Sequence, residues 1–474
     1  MNRRRLLALS AVAAALVVAT VPEAALAHGV GVGREDLPIP KWLFGWGASV
    51  VLIASFVGLA VLWQRPRLEG AAERRRLAVP RLLDPICGAI GVALFVLLVY
   101  AGFEGAQVET SNIAPAFVFV AVWVGLVPLS LLFGDVFKAF NPWRAVARAV
   151  AGVATMASRD GLPAPLPYPE RLGRWPAAAG VLVFVWIELA YIGSNDPSNL
   201  ATLALVYAAV QFVGMSLYGI ESWNRHGDGL AVYFGLFARL SPLRWERGAL
   251  HTRPPLSGVT SLDIVPGTVF LLCAMIGTTA FDGFSAGPTW EALSPDLAKG
   301  VRDLGIGQTT ALNIAESIGI LGAVLVVTGF FMLGVWGMRR DAHVDMTTAE
   351  LAGRFVHSLV PIALAYVIAH YFSLLAFRGQ TLGYLISDPL GQGKDLFGTA
   401  NNQVDYAWVS ATAIWYVQVG ALVIGHVAGL ILAHDRALVT FKDPRVAARS
   451  QYWMLAVMIA FTSLGLWLLS SANT

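Results

Sequence analysis

Apolar stretches long enough to cross a bilayer recur along this chain, and no other feature constrains the fold as tightly. A spanning helix needs about 20 apolar residues. Segments near 42–64, 85–103, 113–133, 175–193, 199–220, 261–281, 313–337, 353–376, 406–433 and 451–471 qualify. Lipid offers no partner to a bare backbone N–H or C=O, so such segments must close their hydrogen bonds internally, as helices. Composition agrees, with 57% hydrophobic and 13% charged residues, where soluble domains carry about 25% charged. The expected fold is all-α: a polytopic integral membrane protein with about ten transmembrane helices.

The first 27 residues read as a cleavable signal peptide. Arg3, Arg4 and Arg5 precede an apolar run from Leu6 to Val21, and Ala25-Leu26-Ala27 offers a small-residue cleavage site. The mature chain, 28–474, then begins at His28 outside the cytoplasm as a single membrane domain. Its core helix pair is expected at 353–376 and 406–433. With ten spans, the loops 65–84, 134–174, 221–260, 338–352 and 434–450 lie on the cytoplasmic side. They carry 6, 6, 5, 3 and 4 Lys/Arg, 24 in sum when Arg354 at an edge is included. The opposite side holds six: Arg34, Lys41, Lys299, Arg302, Arg378 and Lys394. Positive charge collects inside, so a multi-pass plasma-membrane protein with both mature termini extracytoplasmic is expected.

Four loops invite closer reading. Residues 134–174 and 221–260 mix aromatic and basic residues, and the stretches carrying Arg144 and Arg148, and Leu230 to Leu240, read as helices on an anionic lipid surface. Residues 282–311 and 378–405 are polar and Gly-bearing; they either connect spans through solvent or lid a cavity. Cys87 and Cys273 sit in apolar segments far from any C-x-x-C spacing, which argues against a disulfide framework or zinc ribbon. No Walker-type nucleotide fingerprint occurs. The expected partners are the lipid bilayer and a small-molecule substrate or ion, with neither nucleotide nor nucleic acid among them.

Candidate chemistry lies in the polar residues within the apolar segments, since ionisable groups in lipid must face protein, water or metal. Half of the eight histidines fall in the core helix pair: His357, His370, His426 and His434. A rise of 1.5 Å per residue puts His370 at outer depth. Glu316 and Glu188 share that level, while Glu104 and Asp282 lie near outer helix ends. His370, Glu316 and Glu188 together would suit Zn, Mn or Fe as a divalent metal ion, a hydrogen-bonded structural network, or a proton or solute path. Tyr366 and Ser373 extend a polar stripe around His370, and Gln418 faces it in depth. His357 and His426 match at inner depth beside Gly425 and Gly429, whose spacing permits close helix approach. That pair reads as facing residues, either in helix packing or as axial haem ligands, although no C-x-x-C-H attachment site accompanies it. His28, as a mature N-terminus, would offer Cu²⁺ its amine and imidazole.

At these strings the chain resembles a known group. His28-Gly29, Leu37-Pro38-Ile39-Pro40-Lys41-Trp42-Leu43-Phe44, Ala369-His370-Tyr371-Phe372-Ser373, Gly425-His426-Val427-Ala428-Gly429 and Ala433-His434-Asp435-Arg436 are similar to strings in actinobacterial membrane proteins labelled fenitrothion hydrolase. The resemblance spans most of the chain and implies a membrane-bound hydrolase of phosphotriester-like substrates. In that reading His370 is a metal ligand, and Glu316 and Glu188 act as ligands or catalytic bases. The competing class is a transporter or membrane accessory protein for a small solute, proton or metal ion, with a haem-bearing redox subunit as a third. Access separates the first two. A hydrolase needs a site open to one side; a transporter needs polar residues continuous through both leaflets, for which His370, Gln418, His426, His357 and His434 form a candidate ladder.

Overall fold

The computed structural model describes residues 41–158, 163–246, 248–342 and 344–471. The expected signal peptide and His28 lie outside the described residues. In chain order the elements are α1 (Lys41–Leu62), β1 (Arg74–Ala78), α2 (Leu83–Glu104), α3 (Ile113–Phe133), α4 (Val136–Phe140) and α5 (Pro142–Ala157). There follow α6 (Trp175–Leu189), α7 (Pro197–Tyr218), α8 (Ile220–His226), α9 (Gly229–Ala238), β2 (Leu243–Glu246) and β3 (Ala249–Thr252). The chain closes with α10 (Thr268–Ser285), α11 (Pro288–Arg302), α12 (Gln308–Ala342), α13 (Thr348–Phe355), α14 (Leu359–Leu385), α15 (Ala411–Phe441), α16 (Pro444–Ser450) and α17 (Tyr452–Ser471).

Each of the ten apolar segments contains a helix, and the protein is an all-α polytopic membrane protein. Eight helices among the described residues are long and apolar enough to cross a membrane, and α6 is a shorter apolar helix of 15 residues. Contacts between the connecting segments sort them into two groups. At one end β1 pairs with β3, Trp245 Nε1 donates to the Phe133 carbonyl, and Arg449 donates to the Asp341 carbonyl. The loops richest in Lys and Arg meet there. At the other end the Ala106 amide donates to the Leu390 carbonyl, and Glu109 pairs with Arg378. These are called the sheet end and the cavity end below.

The sheet was not expected from the sequence. Its order is β1-β3-β2, antiparallel throughout, with Arg74 opposite Thr252 and Leu243 opposite the same threonine. Its strands are four or five residues long and largely solvated, so no apolar alternation marks them in the sequence.

The core centres on α14 packed along α15, the pair the sequence singles out. A Cβ at Gly425 would stand 2.3 Å from Ala365 Cβ and 2.8 Å from the Pro361 carbonyl oxygen, and one at Gly429 would stand 2.9 Å from the Ser358 oxygen. Only glycine lets the two backbones approach this closely. Residues Leu359 to Val367 of α14 are all buried.

One of the two expectations about surface helices is corrected. The stretch from Leu230 to Leu240 does not lie on a lipid surface: Phe234 and Phe237 are fully buried, and Leu236 nearly so. Ten predominantly apolar residues next to basic ones look interfacial in sequence, but here α9 enters the bundle behind a capped N-terminus. Asp228 accepts hydrogen bonds from the Leu230 and Ala231 amides. The α5 helix keeps the amphipathic form expected of it, with Val150, Val153 and Met156 exposed, and its arginines are engaged by carboxylates. Arg144 is buried and pairs with Asp84 at 3.1 Å and Glu221 at 3.2 Å, while Arg148 also binds Asp84. Partnered guanidinium groups have less charge to offer lipid phosphate.

Candidate functional site

At the cavity end the chain breaks helical regularity next to a hollow. The turn before α3 is locked by buried Asn112, whose side chain accepts from the Ala114 amide and donates to the Ala101 and Ala106 carbonyls. The helix then runs as a π-helix from Ala116 to Gly125. Wider π turns recur at functional sites because they displace side chains from the regular α register. Here Ala116, Phe119 and Val120 line one wall of a cavity of about 230 Å³. Opposite stand Leu374, Arg378, Thr381 and Tyr384 of α14. Glu188, in the last turn of α6, supplies a carboxylate to the same space, with Glu109 and Asn195 also on its lining.

Glu188 differs from the other carboxylates around it, since its Oε2 is buried without a hydrogen-bond partner. Leaving a buried polar group unpaired costs roughly 1–3 kcal/mol, so its presence calls for a reason beyond folding. It stands near enough to Asp282 for their charges to interact. Asp282, by contrast, is engaged through one oxygen. Its Oδ2 lies 2.8 Å from His370 Nε2 and accepts from the Tyr371 hydroxyl at 2.7 Å. His370 remains 28% exposed at its side chain, and Gly283 leaves open the space beside Nδ1, where a Cβ would sit 3.3 Å away. The imidazole is thus oriented by a carboxylate at one nitrogen and accessible at the other.

The sequence-expected residues separate into those brought to this region and those held elsewhere. Glu188 and His370 are both present, linked through Asp282. Glu316 is not with them: its carboxylate accepts from Trp290 Nε1 at 3.0 Å and Ser294 Oγ at 3.1 Å, tying α12 to α11. Depth placed Glu316 level with His370, but α10 comes between, presenting Asp282 to His370 and Phe281 to Trp290. Tyr366 turns from His370 towards α15 and α17, its ring centroid 6.2 Å from His426 and 5.4 Å from Phe461.

The remaining candidates form no chain through the protein. His426 Nδ1 bonds the Leu422 carbonyl of its own helix at 2.7 Å. His357 lies in a 3₁₀ turn, Val356–Ser358, against the backbone of Arg354 and Leu432. The packing register sets Ser358 against Gly429 and His357 beside Leu432, more than a turn from His426, and the two histidines do not hydrogen-bond. His434 bonds the Trp63 carbonyl at 2.9 Å and Gln451 at 3.1 Å, a tie at the sheet end. Gln418 is buried. The candidate ladder is therefore interrupted.

The donor sets do not fit the metal or the haem considered from sequence. Among the described residues no group of three or more His, Cys, Asp or Glu is arranged to hold a metal ion, and removing Glu316 leaves His370 with Asp282 alone as a direct neighbour. His357 stands beside Leu432 and His426 beside Pro361 and Ala365 through its neighbour Gly425, so the two histidines do not share the level at which a single haem would take both.

Sequence reasoning missed the Asp282 partnership and the Glu109–Arg378 bridge, which measures 3.2 Å. The second left a trace: Arg378 is one of six Lys/Arg on its side of the chain. No protein-family profile, curated protein or solved structure matches the chain.

Proposed function

We propose that this protein is a membrane-embedded hydrolase working from the cavity end, with Glu188 as general base, on small neutral esters of the phosphotriester type. The observation that carries the proposal is the unpartnered, buried Glu188 oxygen on the wall of the cavity. Access supports it too, since hydrolysis needs a site open to one side and the polar ladder is interrupted at His426. The resemblance noted in the sequence points to the same substrate class.

In this reading a water in the cavity loses a proton to the Glu188 carboxylate as its oxygen forms the new bond to phosphorus. The bond from phosphorus to the leaving oxygen breaks, and that oxygen departs with the electron pair. Arg378 and Tyr384, on the same lining, supply donors for the oxygens that gain charge. The proton taken by Glu188 passes through cavity water to Nδ1 of His370, whose Nε2 is held by Asp282, and returns from Nδ1 to solvent. A base held by an orienting carboxylate is the recurring arrangement for such proton handling. The step needs no group the chain does not supply.

The test is turnover of diethyl 4-nitrophenyl phosphate by purified protein in lipid nanodiscs, followed as nitrophenolate release. General-base removal typically costs about 100-fold or more, so Glu188→Gln should lose at least that much while keeping its elution profile. Wild-type turnover no faster than Glu188→Gln would end the proposal.

A second reading is favoured by the same cluster. Glu188, Asp282, His370 and Tyr371 place three ionisable groups and a phenol together within apolar helices, as proton-handling transporters do. Proteoliposomes loaded with a pH dye would separate the readings: a proton flux dependent on Glu188 without ester turnover selects the transporter.

A further inference from the structure

A second cavity lies between α12, α14, α15 and α17, towards the sheet end, and no step above uses it. It is small, about 40 Å³, room for one or two atoms the size of a water oxygen. Phe330, Phe331 and Phe461 form much of its wall. Into this apolar space the fold brings His426, Met454 and Met458.

The imidazole is in a defined state. Its Nδ1 lies 2.7 Å from the Leu422 carbonyl oxygen. A carbonyl only accepts, so Nδ1 carries the hydrogen and Nε2 presents its lone pair. That Nε2 is buried and has no partner, on a residue with no exposed surface. Metal-bound histidines characteristically donate the other ring N–H to a carbonyl or carboxylate, which fixes tautomer and ring orientation. His426 has that support already. Met454 and Met458 are four residues apart on one helix, hence on one face, and both are buried. Thioethers are soft ligands that select Cu(I) over harder divalent ions. A wall of phenyl rings excludes water and disfavours any ion carrying more than one charge.

We infer that His426 Nε2 with the Met454 and Met458 thioethers forms a binding site for one monovalent soft metal ion, Cu(I). The site is independent of Glu188 and of ester hydrolysis. In sequence Met454 and Met458 read only as apolar span residues.

The test uses the purified full chain in detergent, with Cu(I) supplied under reductant and competed by bicinchoninate, and Ag(I) as a redox-inert probe. The expected result is one Cu(I) per chain, sulfur and nitrogen scatterers in X-ray absorption, and no displacement by Zn²⁺. Met454→Leu and Met458→Leu conserve volume and should melt like wild type. Each should nevertheless weaken Cu(I) by at least about tenfold, the scale on which metal sites respond to loss of even a supporting group. Glu188→Gln should bind Cu(I) as wild type does. Failure of wild type to hold Cu(I) against the chelator would overturn the site. So would equal Cu(I) binding by both Met→Leu variants, which would place the ion elsewhere, for example on His28.

Discussion

The two ends of the bundle both bury carboxylates, and they treat them differently. At the sheet end Asp228 accepts from Trp143 Nε1 at 2.6 Å, the Tyr207 hydroxyl at 2.8 Å, Asn141 at 3.2 Å and the first amides of α9. Asp435 is similar: the Trp63 indole and the Arg67, Leu68 and Glu69 amides all donate to it. Every oxygen there has a structural task. At the cavity end Glu188 keeps an oxygen without a donor beside open space. Complete satisfaction marks a carboxylate that holds the fold, and an unpaired one marks a carboxylate kept for another use. The same contrast applies to histidines: His434 is bonded at both nitrogens, whereas His426 offers one to a cavity.

The comparison can be broken by mutation, beginning where the effect should be largest. Asp228→Ala strands two indole or phenol donors, an amide and a helix start in the interior. It should cost about 3 kcal/mol or more, read as loss of folded protein on size-exclusion chromatography or a large drop in melting temperature. A well-folded Asp228→Ala protein would show that a satisfied hub is dispensable. Glu188→Gln should do the reverse, with a melting temperature at or above that of wild type and activity down about 100-fold.

Smaller effects sharpen the boundary between the regions. Asp282→Asn keeps the shape of the His370 contact but changes which nitrogen of the ring carries the hydrogen. It should lower turnover and shift its pH profile, with folding retained. Glu316→Gln replaces an acceptor that ties α12 to α11 and should leave turnover unchanged; a loss equal to that of Glu188→Gln would return Glu316 to the site. The smallest effect belongs to Arg378→Ala on stability. The Glu109–Arg378 bridge has side chains 37% and 61% exposed, and exposed pairs contribute about 0–1 kcal/mol.

The architecture was legible because lipid leaves so few choices. Apolar length located the ten apolar helices, while α11, Pro288–Arg302, formed in a stretch read as a connection because it is too polar to stand out. The Gly425/Gly429 spacing also foretold the α14–α15 approach. The site was legible only in part, because depth along a helix says how high a residue sits and nothing of which neighbour it faces. His370 and Glu316 share a level, yet α10 separates them and Asp282 takes the histidine. His357 and His426 fail to pair because α14 packs on α15 with Pro361 and Ala365 against Gly425 and Ser358 against Gly429, which puts His357 beside Leu432, a register that depth from assumed span midpoints did not give. Burial of α9 was hidden for another reason: ten apolar residues fit a surface helix and a buried half-helix equally well, and the deciding contact, Asp228 to Asn141 and Trp143, joins positions more than 80 residues apart.

The most direct measurement compares the carboxylates themselves. Dicyclohexylcarbodiimide labels carboxyl groups that can be reached from apolar surroundings, and peptide mass spectrometry locates the adduct. With the full chain in nanodiscs, Glu188 should be the labelled residue, protected by diethyl 4-nitrophenyl phosphate, while Asp228 and Asp435 stay unmodified under the same conditions. Labelling of Asp228 or Asp435 as fast as Glu188, or no adduct at Glu188, would contradict the distinction between a carboxylate that holds the fold and one that is free to act.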